Sequence, residues 1–419
     1  MKKNVVINII EYGVSIFIML LSSRLIISGL GVHSYSIYSG ISIVISLSML
    51  IDSGVSIITT RDAISNNGSI QVQNAYLTSA LFVYFCLSCV FLSVFTLFID
   101  DISEFLFSAG HANEASYDVI YLIPVIIVIN IVTGCFYAKK VADDAWMNIG
   151  ISNILGKLIA LAFVIAAYYV TSIDPLMIIV IGLLFSSVMR FLLFICFSVS
   201  SGFRIEKVVF SHCISILSRM KYSFVATLST AAIYYLDKIL FTQKFGLLEL
   251  GFLNFSFLIV NYIHGFYATI YKVYFVRLVD QELFFGTLEF NVGTILFFVF
   301  AILVSVFVYI LWVPIVSIVI NNEFALSTQY YSKYLLMLSS LRIFEIVLHY
   351  SLHAIKSVRI LMIVTLISAV FGALFYDYFM VHFMKEGTII AQMIMMSFYI
   401  LTLLYFSTFK GMAKCTKTL

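Results

Sequence analysis

The sequence predicts an all-α polytopic membrane protein of about twelve transmembrane helices, and three observations carry that prediction. Charged residues are only 11% of the 419, as 24 Lys+Arg and 21 Asp+Glu, against about 25% in a soluble domain. Hydrophobic residues reach 62% and fall in runs of about 20, the length that crosses a bilayer core as a helix. The basic residues collect on alternate connections, the pattern of a multi-pass chain. Soluble enzymes, secreted disulfide scaffolds and disordered proteins are excluded, because none could cover its surface with so few polar groups. The six cysteines are scattered and suggest neither a disulfide framework nor a metal site, and a net charge of +3 is too small to imply a nucleic-acid partner.

Apolar runs between polar breaks place the spans at 5–29, 36–60, 75–99, 119–138, 147–171, 175–198, 222–243, 250–271, 288–312, 330–352, 358–380 and 388–409. A β-barrel would alternate polar and apolar residues, and runs such as Leu122 to Val132 do not. The first stretch follows Lys2-Lys3 as a secretory signal would, but it is too long and holds Glu11 and Arg24. It reads as the first span, uncleaved.

With the N-terminus in the cytoplasm, 16 Lys and Arg fall on the inner side, Lys139, Lys140, Arg204 and Lys207 among them. Only Lys244, Lys333 and Lys385 fall outside, and five more lie within spans. Loop 100–117 on the outer side carries four acids and no Lys or Arg. Both termini are therefore expected in the cytoplasm. No loop is long enough to fold separately. Segment 199–221 mixes apolar and basic residues at the chain's midpoint, which predicts a cytoplasmic linker, with an interfacial helix as one form for it. It divides two six-helix bundles, 1–198 and 222–419.

Catalytic motifs are absent or misleading. Gly150 to Gly156-Lys157 has one residue too many for a P-loop, and Leu158 stands where Ser or Thr is required. Cys86-Leu-Ser-Cys89 sits in mid-span as buried, inert thiols would. His349 and His353 have ligand-like spacing but no third ligand. No enzyme activity, metal or cofactor is expected.

The informative residues are the ionisable ones inside spans: Glu11, Arg24, Asp52, Lys157, Arg190, Asp237, Lys238, Arg342 and Glu345. Nine such groups facing lipid would cost about 25 kcal/mol on insertion scales, above the ~5–15 kcal/mol stability of a typical fold. Arg24 and Asp52 are near enough to the span ends to snorkel. The central ones must pair or line a wet cavity. Helical spacing supports a polar face in several spans. Asn8, Glu11 and Ser15 share one in the first, and Ser39, Ser42 and Ser46 in the second. Gly150, Asn153 and Lys157 share one in the fifth, and Thr227, Thr230, Tyr234 and Asp237 in the seventh. Asn254 and Asn261 share one in the eighth, and Arg342 and Glu345 in the tenth. The same spacing also serves close helix packing. Arg342 and Glu345 can equally neutralise each other, and Asp237 and Lys238 can form an adjacent structural pair.

Two segments carry a more specific resemblance. Arg24 to Tyr38 through Leu50-Ile-Asp-Ser-Gly54 to Thr60-Arg61 is one; Tyr234-Tyr-Leu-Asp-Lys-Ile-Leu240 with Phe245-Gly246 to Gly251-Phe-Leu-Asn-Phe255 is the other. Both resemble Wzx-type O-antigen flippases, the polysaccharide-export branch of the multidrug/oligosaccharidyl-lipid/polysaccharide superfamily. Ser36 departs from that family's pattern, where Gly is frequent. Gly31 and Gly246 occupy matching places in the two halves, and that offset lays Ser39 and Ser46 over Asn254 and Asn261, as in duplicated halves.

The resemblance implies a V-shaped, alternating-access transporter in the bacterial inner membrane. Its substrate would be an undecaprenyl-diphosphate-linked oligosaccharide repeat unit, moved from the cytoplasmic to the periplasmic leaflet. A polysaccharide polymerase and a chain-length regulator are the implied protein partners. Arg24, Lys157, Arg190, Lys238 and Arg342 would then form a basic cavity for the diphosphate. Glu11, Asp52, Asp237 and Glu345 would couple transport to an ion gradient or gate it. Asn8, Ser15, Asn153, Thr230, Tyr234, Asn254 and Asn261 would line the cavity. Only Asp52 and Asp237-Lys238 match the family's motifs. A drug/cation antiporter of the same superfamily would favour acids over this set of cations. A membrane polymerase would need a large outer loop for its acceptor.

Overall fold

The computed structural model describes residues 2–65, 70–107, 114–170, 174–280, 288–354 and 358–418. They form twelve helices: α1 (Lys2–Ser65), α2 (Ile70–Leu97), α3 (Ile99–Phe107), α4 (Glu114–Ala142), α5 (Trp146–Tyr169), α6 (Pro175–Ser200), α7 (Phe210–Phe245), α8 (Leu247–Asp280), α9 (Leu288–Ile310), α10 (Trp312–Val319), α11 (Asn322–Ala354) and α12 (Val358–Thr418). There is no strand among the described residues. The chain is an all-α, multi-pass membrane protein. α1 and α12 are each two helices, broken at Gly31 and Met384. So divided, every predicted span falls on a helix, to within two residues at its ends. α3 and α10 are short helices in connections where the sequence predicted no element.

Among the described residues, seven helices are long and apolar enough to cross a membrane, or eight if α9 and α10 count as one bent span. Two of the seven, Val6–Ser46 and Met362–Tyr405, run across the breaks at Gly31 and Met384. α7 and α11, at 36 and 33 residues, are also long enough to span, and they carry Asp237-Lys238 and Arg342 with Glu345.

Gly31 and Gly246 do the same work in two places. Their φ angles are +88° and +86°, in the left-handed region that a Cβ disfavours. Each ends one long helix and starts the next after a single residue, so the glycines matched by sequence offset also match in conformation. Replacing either by Ala is expected to cost about 1–3 kcal/mol. No atom lies within 4 Å of the added Cβ at either glycine, so the cost is backbone strain alone. Thermal melting of the detergent-solubilised protein would read it, and an unchanged midpoint would contradict the strain.

The chain divides into two compact units: Ile10–Thr227, and Leu228–Leu419 together with Met1–Ile9. In the first, Ala63, Leu77, Phe136, Trp146, Ile149, Phe194 and Phe203 form a buried cluster, with Phe136 edge-on to Phe203 and Phe191. α5 and α6 approach closely because Gly182 faces Phe163, where a Cβ would sit 2.4 Å from the Phe163 Cβ.

Of segment 199–221, expected as a cytoplasmic linker with an interfacial helix as one form for it, only the stretch between α6 and α7 is not helical. Residues 203–209 are not helical, and α7 begins at Phe210. The physical reason is that the backbone finds its partners elsewhere. The Glu206 amide donates to Thr78 Oγ1 at 3.1 Å and the Val209 amide to Ser79 Oγ at 2.9 Å. Asn74 Nδ2 donates to the Gly202 carbonyl at 3.1 Å. With Phe203 buried in the aromatic cluster, the segment is laced onto α2 and does not need a helix to satisfy it.

In the second unit, Ser256 and Trp312 both donate to Thr328, on its carbonyl and hydroxyl, which joins α8, α10 and α11. The end of this unit that holds Gly246 and Met384 is tied by polar contacts. Glu249 accepts from the Tyr331 hydroxyl at 2.6 Å and pairs with Lys385 at 2.6 Å. Glu386 accepts from Tyr334 at 3.0 Å. Lys385 is among the residues the sequence places on the outer side.

Candidate functional site

Among the described residues, each unit holds a cluster of intramembrane charge. In the second unit, α7 contributes Asp237 and Lys238, α8 contributes Phe257 and Asn261, and α11 contributes Arg342. Asp237 is fully buried, and Lys238 and Arg342 are nearly so. Two cations engage one aromatic ring. The Lys238 ammonium lies 4.8 Å from the Phe257 centroid and the Arg342 guanidinium carbon 5.3 Å from it. Such contacts stabilise by about 2 kcal/mol or more when desolvated. Lys238 also lies 5.0 Å from the Tyr235 ring, and Arg342 Nη1 donates to Asn261 Oδ1 at 2.9 Å.

Asp237 is within Coulombic reach of both cations, and among the described residues no side chain hydrogen-bonds either of its carboxylate oxygens. Tyr376 of α12 lies within reach of Asp237 and Arg342, and its buried hydroxyl also lacks a hydrogen-bond partner there. The arrangement can therefore hold two positive charges away from lipid, and it presents an acid able to take a proton or a cation.

In the first unit, Lys157 of α5 pairs with Glu11 of α1 at 3.9 Å. Ser15, one turn further along α1, donates to the same carboxylate at 3.4 Å. Arg190 of α6 joins them through Gly156. A Cβ at Gly156 would meet Arg190 Cγ at 2.6 Å and Cδ at 2.8 Å, so the missing side chain lets the arginine stem lie across α5 beside Lys157.

The predicted residues thus separate. Lys238, Arg342, Asp237 and Asn261 come together in one unit, and Glu11, Lys157, Ser15 and Arg190 in the other. Glu345 and Asn8 are buried, Asn153 and Asn254 are half-buried, and Arg24 is exposed. The side chains of Asp52, Thr230, Tyr234, His349 and His353 lie outside those described. Several serines of the polar faces bond their own helix. Ser22 donates to the Ile18 carbonyl and Ser42 to that of Tyr38, which is the packing use of a hydroxyl. No group of three metal-ligating side chains occurs among the described residues.

Sequence reasoning missed Phe257, Gly156 and Tyr376. For Phe257 a signal existed, since it stands three residues after Asn254 and four before Asn261 on the same helical stripe. For Gly156 and Tyr376 there was none, because their roles arise only from a neighbouring helix.

No protein-family model matches the chain, and no curated protein matches it. Solved structures do. The lipid II flippase MurJ in an inward closed conformation matches with a TM-score of 0.73 at 15% identity, over 96% of this chain and 87% of that one. An inward-facing multidrug resistance MATE transporter of the MOP superfamily gives 0.70 at 14%, over 95% and 94%. The fold is that of the MOP transporters. A MOP transporter from Pyrococcus furiosus, described by the reversed polarity of its binding pocket, gives 0.66 at 14%, over 96% and 94%. Among the described residues each compact unit of this fold presents a charged cluster, and both clusters are built from long helices, where side chains are held most rigidly.

Proposed function

We propose that this protein is a flippase for an undecaprenyl-diphosphate-linked oligosaccharide repeat unit, carried from the cytoplasmic to the periplasmic leaflet of the bacterial inner membrane. The observation that carries the reading is the buried pair Lys238 and Arg342, gathered on the ring of Phe257. Cations inside a membrane protein are expensive and persist where they serve a pathway, and a diphosphate is the ligand that charge-assisted bonds from Lys and Arg hold best. Lys157 and Arg190 repeat the theme in the other unit. The shared fold with a lipid II flippase makes a lipid-linked substrate the natural class. Transport by alternating access needs no covalent chemistry and no cofactor. Asp237 is the acid we assign to ion coupling, because a fully buried carboxylate gains from a proton or cation. A polymerase and a chain-length regulator would act on the delivered unit.

The antiporter reading wants acids able to greet a cationic drug. Here Glu11 and Asp237 each stand beside a cation, which favours the anionic substrate.

In cells lacking the chromosomal copy, the wild-type chain should restore the surface polymer. Lys157→Ala and Arg342→Ala, inserted at wild-type level, should reduce it at least tenfold. Normal export by both variants would sink the basic-site reading, and extrusion of a cationic dye by the wild type would favour the antiporter.

A further inference from the structure

The cluster in the first unit contains its own anion. Lys157 and Arg190 are two cations placed side by side by the absence of a side chain at Gly156, and Glu11 is the acid that faces Lys157. We propose that Glu11 is a resident counter-anion which a diphosphate displaces from Lys157, so that the acid sets how readily the site gives its substrate up. This rests on the diphosphate reading above and adds to it a residue that limits affinity instead of supplying it.

Three features support a displaceable partner over a structural one. The Lys157–Glu11 distance of 3.9 Å is longer than a hydrogen bond, and the Ser15 bond at 3.4 Å is also at the long end. Neither contact locks the carboxylate. The pair is not sealed off: 35% of the Lys157 side chain and 16% of the Glu11 side chain are exposed. Arg190 stands beside Lys157 as a like charge, so an anion placed there gains from both cations. An incoming diphosphate carries enough charge and enough oxygens to engage both cations at once. Glu11 would then be left with Ser15 as its donor and with a like-charged neighbour, which pushes the substrate out again once access has switched. Removing the acid should therefore tighten binding and slow release together.

The test uses the full-length protein in detergent, with inorganic pyrophosphate as the probe and binding read by calorimetry at fixed low salt. Glu11→Gln keeps the shape and the acceptor for Ser15 while removing the charge. It should bind pyrophosphate about tenfold more tightly than wild type and export less polymer. Lys157→Ala should lose at least tenfold in affinity. If Glu11→Gln fails to fold, as judged by its melting curve, Glu11→Asp serves instead. It draws the carboxylate back from Lys157 and should tighten binding less, by about threefold.

Wild-type binding that Lys157→Ala weakens, with no tightening in the Glu11 variant, overturns the counter-anion role while leaving the basic site standing. Absence of pyrophosphate binding in both wild type and the Glu11 variant, or Lys157→Ala binding as tightly as wild type, overturns the diphosphate reading itself and the proposal with it.

Discussion

Lys238→Ala is expected to lower stability by about 3–5 kcal/mol and to abolish polymer export. The size follows from what is left behind. Asp237 is fully buried, and among the described residues no side chain hydrogen-bonds either oxygen, so Lys238 and Arg342 are the charges that make its ionised form tolerable. Removing one leaves an under-compensated carboxylate in a low-dielectric interior and also removes the cation from the Phe257 and Tyr235 rings. The double variant Asp237→Asn with Lys238→Met takes away both charges and keeps much of the volume, so it should recover most of the lost stability. It should not recover export, because neither the cation nor the coupling acid is present. Melting curves and surface-polymer assays on the same membranes separate the two effects. A Lys238→Ala protein as stable as wild type would show that the pair carries no electrostatic load.

Lys140→Met should cost about 3 kcal/mol, for a different reason. Lys140 is buried, with 1% of its surface exposed. Its ammonium donates to the Phe197 carbonyl at 2.8 Å, to Ser201 Oγ at 2.7 Å and to Asp143 at 3.3 Å. One side chain thereby joins the ends of α4 and α6 to the start of the 203–209 segment. Methionine fills the space but donates nothing, and the Phe197 carbonyl and Ser201 hydroxyl lose a charged donor. Lys139 retains its own pair with Asp143 at 3.1 Å, which is why the loss stays below that of an orphaned charge. The segment should also become easier to cut. Trypsin cleavage after Arg204 or Lys207, both exposed, should be several-fold faster than in wild type. Equal cleavage rates would mean that Thr78, Ser79 and Phe203 hold the segment unaided.

These residues show where sequence reading succeeds and stops. Lys139 and Lys140 counted towards topology as two basic residues on an inner connection. The structure turns both inward, because Asp143 sits three and four residues on and the carbonyl end of α6 is at hand. Lys157 had no partner in its own helix, and Glu11 was a separate candidate 146 residues away. Their pairing is a property of how α1 packs on α5. The polar and apolar mixture of 199–221 read as a cytoplasmic linker, and nothing in its composition announces that Thr78 and Ser79 receive the Glu206 and Val209 amides.

The sequence by itself determined the solvent, the secondary structure and the hinges. A chain with 11% charged residues must place its helices in a membrane, where each backbone group is satisfied within its own segment, and that is a local rule legible from runs of residues. Gly31 and Gly246 are local in the same sense, since a positive φ favours glycine whatever surrounds it. Which charges meet was decided only by the tertiary structure. Coulombic and cation–π contacts act over 3–6 Å between helices far apart in the chain, and spacing along one helix does not encode them. Nine ionisable residues inside the predicted spans marked where function had to be sought. Packing sorted them, gathering Asp237, Lys238 and Arg342 around Phe257 in one unit and setting Glu11 against Lys157 in the other.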